Sequence, residues 1–200
     1  MRVLSFLCGS LLFLFTFCDR PKSVVINSPS DSTKIVLTRT NFPAIEMDDP
    51  VSIETNNTLP EELVDYAESL TGIPYKYGSA DPRQGFDCSG FITYVFNHFK
   101  IAVPRSSVDF THVKKEVQLR DAKRADLILF TGTDSTDREV GHMGIITSLP
   151  GEEIKFIHST SGKAYSVTST PLNPYYQGRF VKALRIFNQN NSRVSRYSQK

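Results

Sequence analysis

Three residues of this chain have the types and surroundings that nucleophilic chemistry needs: Cys88, His142 and His158. Cys88 stands in Gly85-Phe86-Asp87-Cys88-Ser89-Gly90, and Phe91, Ile92, Val95, Phe96 and Phe99 follow as an apolar stripe at helical spacing. The pattern predicts a helix with Asp87 as N-cap and Cys88 in the first turn. That turn has backbone N–H groups without intrahelical partners and the positive end of the helix dipole. Both favour a thiolate, so the thiol is expected below the ~8.5 of a free cysteine. The same N–H groups can hold a developing oxyanion. This stretch alone is also what a small buried structural cysteine would look like, because Cys is among the most buried residue types.

A thiol nucleophile needs a base within hydrogen-bond reach, and the base needs an orienting partner. His142 opens a predicted strand and His158 closes the next, with a turn at Pro150-Gly151 between them. Both then fall at one end of adjacent strands, which lie ~4.8 Å apart. Histidine suits the base because it can take and return a proton near neutral pH. Cys88, His142 and His158 can therefore supply nucleophile, base and orienting group. Two readings compete: unrelated strand-end histidines, and a zinc set of one cysteine and two histidines. The chain has no C-x2-C or H-x3-H pair, so metal is the weaker reading and no cofactor is called for. His98, late on the cysteine helix, and His112, in a polar segment, read as solvated or structural.

The elements that must position these residues follow from pattern. Thr58-Leu59-Pro60-Glu61-Glu62 reads as a helix start, with Leu63, Ala67 and Leu70 on one face and Gly72 at the end. Ile73 to Gly78 is extended. The cysteine helix is predicted to run to about Lys100, with a turn around Pro104 and a short helix from Val108 to about Val113. From Ala125 the period changes. Strands are predicted at Asp126–Phe130, His142–Ser148, Ile154–His158, Ala164–Val167 and Arg179–Phe187. Helices first and an antiparallel sheet after give an α+β class.

The remaining sequence bounds the setting. With 200 residues, 40% hydrophobic and 22% charged, the chain can bury one full core. A net charge of +2 gives no argument for nucleic acid. Residues 1–17 begin with a basic Arg2 and are then apolar apart from Ser5, Gly9, Ser10 and Thr16, which predicts an export signal; a retained membrane anchor is the alternative. Cys18 follows at once and resembles the lipidated cysteine of a bacterial lipoprotein, except that Phe17 stands where a small residue is usual. Simple cleavage nearby is the other outcome. Residues 18–58 read as a polar tether, 59–187 as the domain and 188–200 as a polar tail. Only Cys88 is then left as a free thiol in the exported domain, so no disulfide framework is available.

Asp87-Cys88-Ser89-Gly90-Phe91, Ala125-Asp126-Leu127-Ile128-Leu129-Phe130, Gly141-His142-Met143-Gly144-Ile145 and Phe156-Ile157-His158-Ser159 resemble, in order, the motifs of the NlpC/P60 cell-wall peptidases. Pro74-Tyr75-Lys76-Tyr77-Gly78 and Pro104-Arg105-Ser106-Ser107 match as well, and the resemblance covers roughly Leu59 to Phe187. It implies a papain-like fold, with N-terminal helices packed on a C-terminal antiparallel sheet. It implies Cys88 as nucleophile, His142 as base and His158 as orienting residue. The implied substrate is the peptide stem of bacterial peptidoglycan, commonly cut between D-glutamate and diaminopimelate. Tyr75, Asp87 and Ser89 inherit roles in holding the stem, and Arg105 and Ser106 join them as candidates. Three departures stand out. Ala125 replaces a usual glycine, Phe110 replaces a frequent glutamine, and the stretch before Leu59 is too short for the SH3-like domain of some relatives. The expected protein is a monomeric lipid-anchored peptidase on the periplasmic side of the envelope, at the outer membrane. The alternatives are a catalytically silent wall-binding lipoprotein and an acyltransferase or amidase on the same core.

Overall fold

The computed structural model describes residues 51–134 and 136–191. The predicted signal, Cys18 and most of the predicted tether lie outside the described residues, as does the end of the predicted tail.

The first helix, α1 (Pro60–Ser69), starts within the expected stretch, with Leu59 as N-cap. The Glu62 carboxylate accepts the Leu59 N–H at 2.9 Å, and Pro60 fills a first-turn position whose N–H would have no partner. The helix closes at Leu70, and Gly72 (φ +91°) turns the chain away. Leu63, Val64 and Ala67 form its buried face.

A two-stranded ribbon of β1 (Ala80–Asp81) and β2 (Gly85–Phe86) leads into α2 (Cys88–His98). Phe91, Ile92, Val95 and Phe96 are fully buried, and such a side chain stabilises by ~1.5–3 kcal/mol. The helix ends at His98, short of the predicted Lys100, which takes a left-handed φ of 58°. His98 stacks on Tyr66 of α1 with ring centroids 3.7 Å apart, so it joins the two helices. The segment expected as a short helix is a 3-10 turn, Val108–His112.

Six antiparallel strands follow: β3 (Glu116–Val117), β4 (Leu127–Thr131), β5 (Val140–Ile146), β6 (Lys155–Ser159), β7 (Val167–Pro171) and β8 (Phe180–Leu184). Their spatial order is β3-β8-β4-β5-β6-β7. One face, with Leu127, Leu129, Met143, Ile145 and Ile157, packs on α1 and α2. The other face, with Ile128, Phe130, Ile146 and Phe156, is covered by Leu172 and Tyr176. Burial on both faces explains why Leu127–Phe130 reads as an unbroken apolar run instead of an alternating one.

Four further differences concern element placement and domain boundaries. The strand placed at Ala164–Val167 lies at Val167–Pro171. A third helix, α3 (Pro174–Arg179), was not foreseen; Asn173 caps it, accepting the Tyr176 N–H at 3.3 Å. Residues 51–58 belong with the domain and not the tether: Val51 exchanges hydrogen bonds with His112 and Lys114, and Thr55 and Thr58 are buried. The first tail residues are also folded, as the Asn190 side chain donates to the Arg124 carbonyl at 2.9 Å. Among the described residues no helix is long and apolar enough to cross a membrane.

Candidate active site

Cys88 is the first residue of α2, half-buried, with its sulfur 3.9 Å from the Gly141 carbonyl. Two contacts fix that helix start, one to the sheet and one to the chain before the β1–β2 ribbon. The Ser159 hydroxyl at the end of β6 donates to the Phe86 carbonyl at 2.7 Å. Gly90 packs so tightly against the Ser79 carbonyl that a Cβ there would overlap it. Gly141 is itself special: Phe130 pairs with His142 and Thr131 with Val140, which leaves Gly141 as a bulge in β5. Bulges re-aim neighbouring groups, and this one turns a carbonyl to the thiol.

The histidines come together through sheet register. Ile145 pairs with Ile157, so the next step sets Gly144 opposite His158. A Cβ at Gly144 would meet Phe156 at 2.8 Å and His158 at 3.2 Å, so only glycine leaves the space. His142, two residues along, is the diagonal neighbour of His158 on the same face. Its Nε2 lies 2.7 Å from His158 Nδ1. The same geometry repeats across the next pair of strands. His158 pairs with Thr168, Thr170 is the diagonal neighbour, and its hydroxyl lies 3.0 Å from His158 Nε2. His158 is fully buried, and Tyr176 of α3 packs edge-on to its ring at 5.5 Å.

Burial dominates the electrostatics. It pushes the Cys88 thiol up to about 11, aided by the Asp87 carboxylate and opposed by the backbone N–H groups of Ser89, Cys88 and Met143. The lowered thiol expected from the helix start is therefore corrected: the N–H groups are in place, but desolvation and Asp87 outweigh them. Burial likewise drives His142 well below its usual range, with His158 and the Arg179 guanidinium acting in the same direction. His158 falls to about 3, from burial and then Arg179. Burial thus favours the uncharged form of all three groups.

A cleft of about 1020 Å³ opens on these groups, and Tyr75, Cys88, His142, Thr170 and Arg179 are among its lining residues. Tyr75 is the one of the five expected substrate contacts found there. Burial holds its hydroxyl above the ordinary range, so it remains a protonated donor. Asp87 and Ser89 are buried instead in a network under the helix start. Asp87 accepts the Gly90 N–H and takes both arms of Arg105, at 2.8 and 3.1 Å, while Arg105 also donates to Ser89 at 2.9 Å. These groups are occupied within the protein. Ser106 is exposed, away from the cleft lining, and its carbonyl accepts the Asp109 N–H. The Cys88/His142/His158 zinc set does not form a metal-binding cluster among the described residues.

Sequence reasoning missed Thr170, Tyr176 and Arg179. Thr170 was lost with the misplaced strand. The other two lie on α3, whose start was readable in Asn173-Pro174, a cap followed by a first-turn proline.

A helix-borne thiol that shares a cleft with a strand-borne histidine, on an antiparallel sheet, defines a papain-like α+β fold. The chain belongs to the NlpC/P60 family, whose model matches residues 72–185. The gamma-DL-glutamyl hydrolase of Bacillus subtilis strain 168 is 32% identical over 130 residues, which are 65% of this chain and 30% of that protein. Murein DD-endopeptidase MepH of Escherichia coli K12 is 31% identical over 121 residues, 58% of this chain and 41% of that one. The solved structure of an NlpC/P60 family protein from Bacillus cereus ATCC 10987 superposes with a TM-score of 0.58 at 26% identity, covering 66% of this chain and 42% of that one. This chain thus spans less than half the length of these relatives.

Proposed function

We propose that the chain is a peptidoglycan hydrolase, a cysteine peptidase that cuts stem-peptide bonds through an acyl-enzyme. The observation that carries this is the chain of side chains leading to the cleft: His142 and Cys88 line it together, and behind His142 stand His158 at 2.7 Å and Thr170 beyond it. The names of both relatives support the substrate class. The D-glutamyl bond is the proposed cleavage point, supported by the name of the Bacillus subtilis relative.

The tautomers that leave a usable base run in one direction. His158 Nε2–H donates to Thr170, His142 Nε2–H donates to His158 Nδ1, and the lone pair of His142 Nδ1 is left for the thiol. His142 takes the thiol proton as sulfur attacks the scissile carbonyl carbon. The tetrahedral oxyanion is held by N–H groups at the start of α2. Collapse breaks the C–N bond, His142 returns its proton to the leaving amine, and a thioester remains. Water, deprotonated by His142, then attacks the thioester. The acid leaves and the thiol recovers its proton. Two neutral partners suit this route, because proton transfer and attack proceed together and no ion pair must be maintained in a buried site. Tyr75 supplies a donor to the stem peptide. Asp87, Ser89 and Arg105 hold the helix start rigid.

Digestion of purified muropeptides, read by mass spectrometry, tests the reading. New diaminopimelyl amines should appear with the wild type and not with Cys88→Ala. Mass-neutral acyl exchange would identify a transferase instead, and no product from the wild type would leave a wall-binding protein. Membrane anchoring through Cys18 is part of the same proposal, motivated by its place after the apolar run. Radiolabelled fatty acid should enter the wild type and not Cys18→Ser.

A further inference from the structure

Arg179 is only 7% exposed, yet among the described residues no carboxylate pairs with it. One Nη donates to the Tyr175 hydroxyl at 2.7 Å and the other to the Thr131 carbonyl at 2.8 Å, while the buried Nε has no partner. The guanidinium lies 4.9 Å from the ring centroid of Tyr175 and 5.7 Å from that of Tyr176. Two of its five N–H donors are thus used, both by neutral acceptors. A cation taken this far from water without an anion is costly, and proteins retain one only where something repays it.

Its place supplies the reason. Arg179 lines the cleft that holds Cys88 and His142, and Lys163 lines the same cleft as a second cation. No Asp or Glu stands among the lining residues, whereas the hydroxyls of Thr160, Thr168 and Tyr175 do. We infer that the cleft holds a carboxylate subsite centred on Arg179, which binds a free carboxylate on a residue flanking the scissile bond, with Lys163 as a second cation of the same lining. The inference rests on the peptidase reading for the identity of the ligand. The missing counter-anion of Arg179 is then delivered by the substrate. Discrimination follows from the chemistry. A carboxamide in place of the carboxylate brings no charge and presents an NH2 to a donor, so the site should reject amidated stems.

The test uses paired stem peptides that differ in one group: a free carboxylate or its carboxamide on either residue flanking the scissile bond. Binding to full-length Cys88→Ala is measured by titration calorimetry, and turnover by the wild type in parallel. The free acid should bind about tenfold more tightly than the amide, the scale of one charge-assisted hydrogen bond. Arg179→Gln should erase that preference. Because a buried substitution can unfold the domain, exposed Lys163→Gln provides the second arm, and should reduce the preference about threefold. Equal affinities, or no binding of the free acid at millimolar concentration, would overturn the subsite. If acid preference persists but the wild type cuts neither peptide, the peptidase reading falls and the subsite stands.

Discussion

Strand β8 has a buried arginine immediately before it and another immediately after it, and the two are handled in opposite ways. Arg185 is 8% exposed and Arg179 7%. Arg185 makes an ion pair with the fully buried Asp126 at 3.1 Å and donates to the Asp121 carbonyl at 2.7 Å. Asp126 is further fixed by the Lys123 N–H at 2.8 Å. Burial still pushes the Asp126 carboxyl up, against the pull of Arg185. Arg179 has a phenol, a carbonyl and two aromatic faces, and no carboxylate among the described residues. One end of the strand is a closed polar cluster. The other leaves a charge open beside the thiol and the histidines. Burial alone therefore does not tell the two arginines apart; the anion does.

The comparison breaks if the two ends fail to separate stability from activity. At the cleft end, Cys88→Ala removes the nucleophile of the proposed acyl-enzyme. Turnover should vanish while the melting temperature stays at the wild-type value, as scanning calorimetry would show. At the far end, Asp126→Ala strands Arg185 as a buried unpaired cation and should cost about 3–5 kcal/mol in urea unfolding. Its kcat/KM per folded molecule should equal the wild type. A stable Asp126→Ala protein, or a folded one without activity, would remove the distinction.

His158 lies between these extremes, since it is buried like a core residue yet bonded to the base. His158→Gln keeps a hydrogen-bonding group behind His142 and should lower kcat by about one to two orders of magnitude, far less than Cys88→Ala. Loss equal to that of Cys88→Ala would mean that His158 handles the proton itself.

The sequence made these two ends unequally legible. The Cys88 helix could be read because its signals are local: a cap, a glycine and a helical stripe within a dozen residues. The histidine pair could be read because one hairpin turn fixes its register. Arg179 could not, because α3 is too short to show a period and Tyr175-Tyr176 resembles a strand. Nor could the partners of Asp87, since Arg105 reaches it across the bend after α2. The direction of the thiol shift was misread for a related reason. A helix start is visible in sequence, but the depth at which it is buried belongs to the assembled fold.

The depressed histidines give a pH dependence that separates the ends again. His158 titrates near 6.5 when unfolded and at about 3 when folded. Between those values the unfolded chain binds more protons, so stability rises with pH and is lost as pH falls. Unfolding free energy should therefore begin to drop below about pH 6.5, above the range where carboxylates titrate. His158→Gln should reduce that slope and leave the part supplied by the likewise depressed His142, whereas Asp126→Ala, at the far end, should lower the curve without changing its slope between about pH 6 and 5. Parallel profiles for wild type and His158→Gln would show that the ring is not held neutral.

The smallest expected effect lies at Thr170. Its hydroxyl reaches the site through the 3.0 Å bond to His158 Nε2. If that bond selects the tautomer, Thr170→Val leaves shape and volume nearly unchanged and removes the acceptor for the Nε2 proton. His158 can then flip its proton to Nδ1, where it would confront the proton on His142 Nε2 and disturb the base. A neutral hydrogen bond contributes ~1 kcal/mol, so kcat should fall about fivefold. KM should stay constant, because the effect acts through the base. Thr170→Ser restores the hydroxyl without the methyl group and should recover kcat, whereas a packing role would leave it impaired. The double variant with His158→Gln decides between the two accounts. Members of one hydrogen-bonded chain are not additive, so once the imidazole is gone Thr170→Val should cost little more. A full fivefold loss in that background would place Thr170 outside the chain and leave it an ordinary residue of the strand.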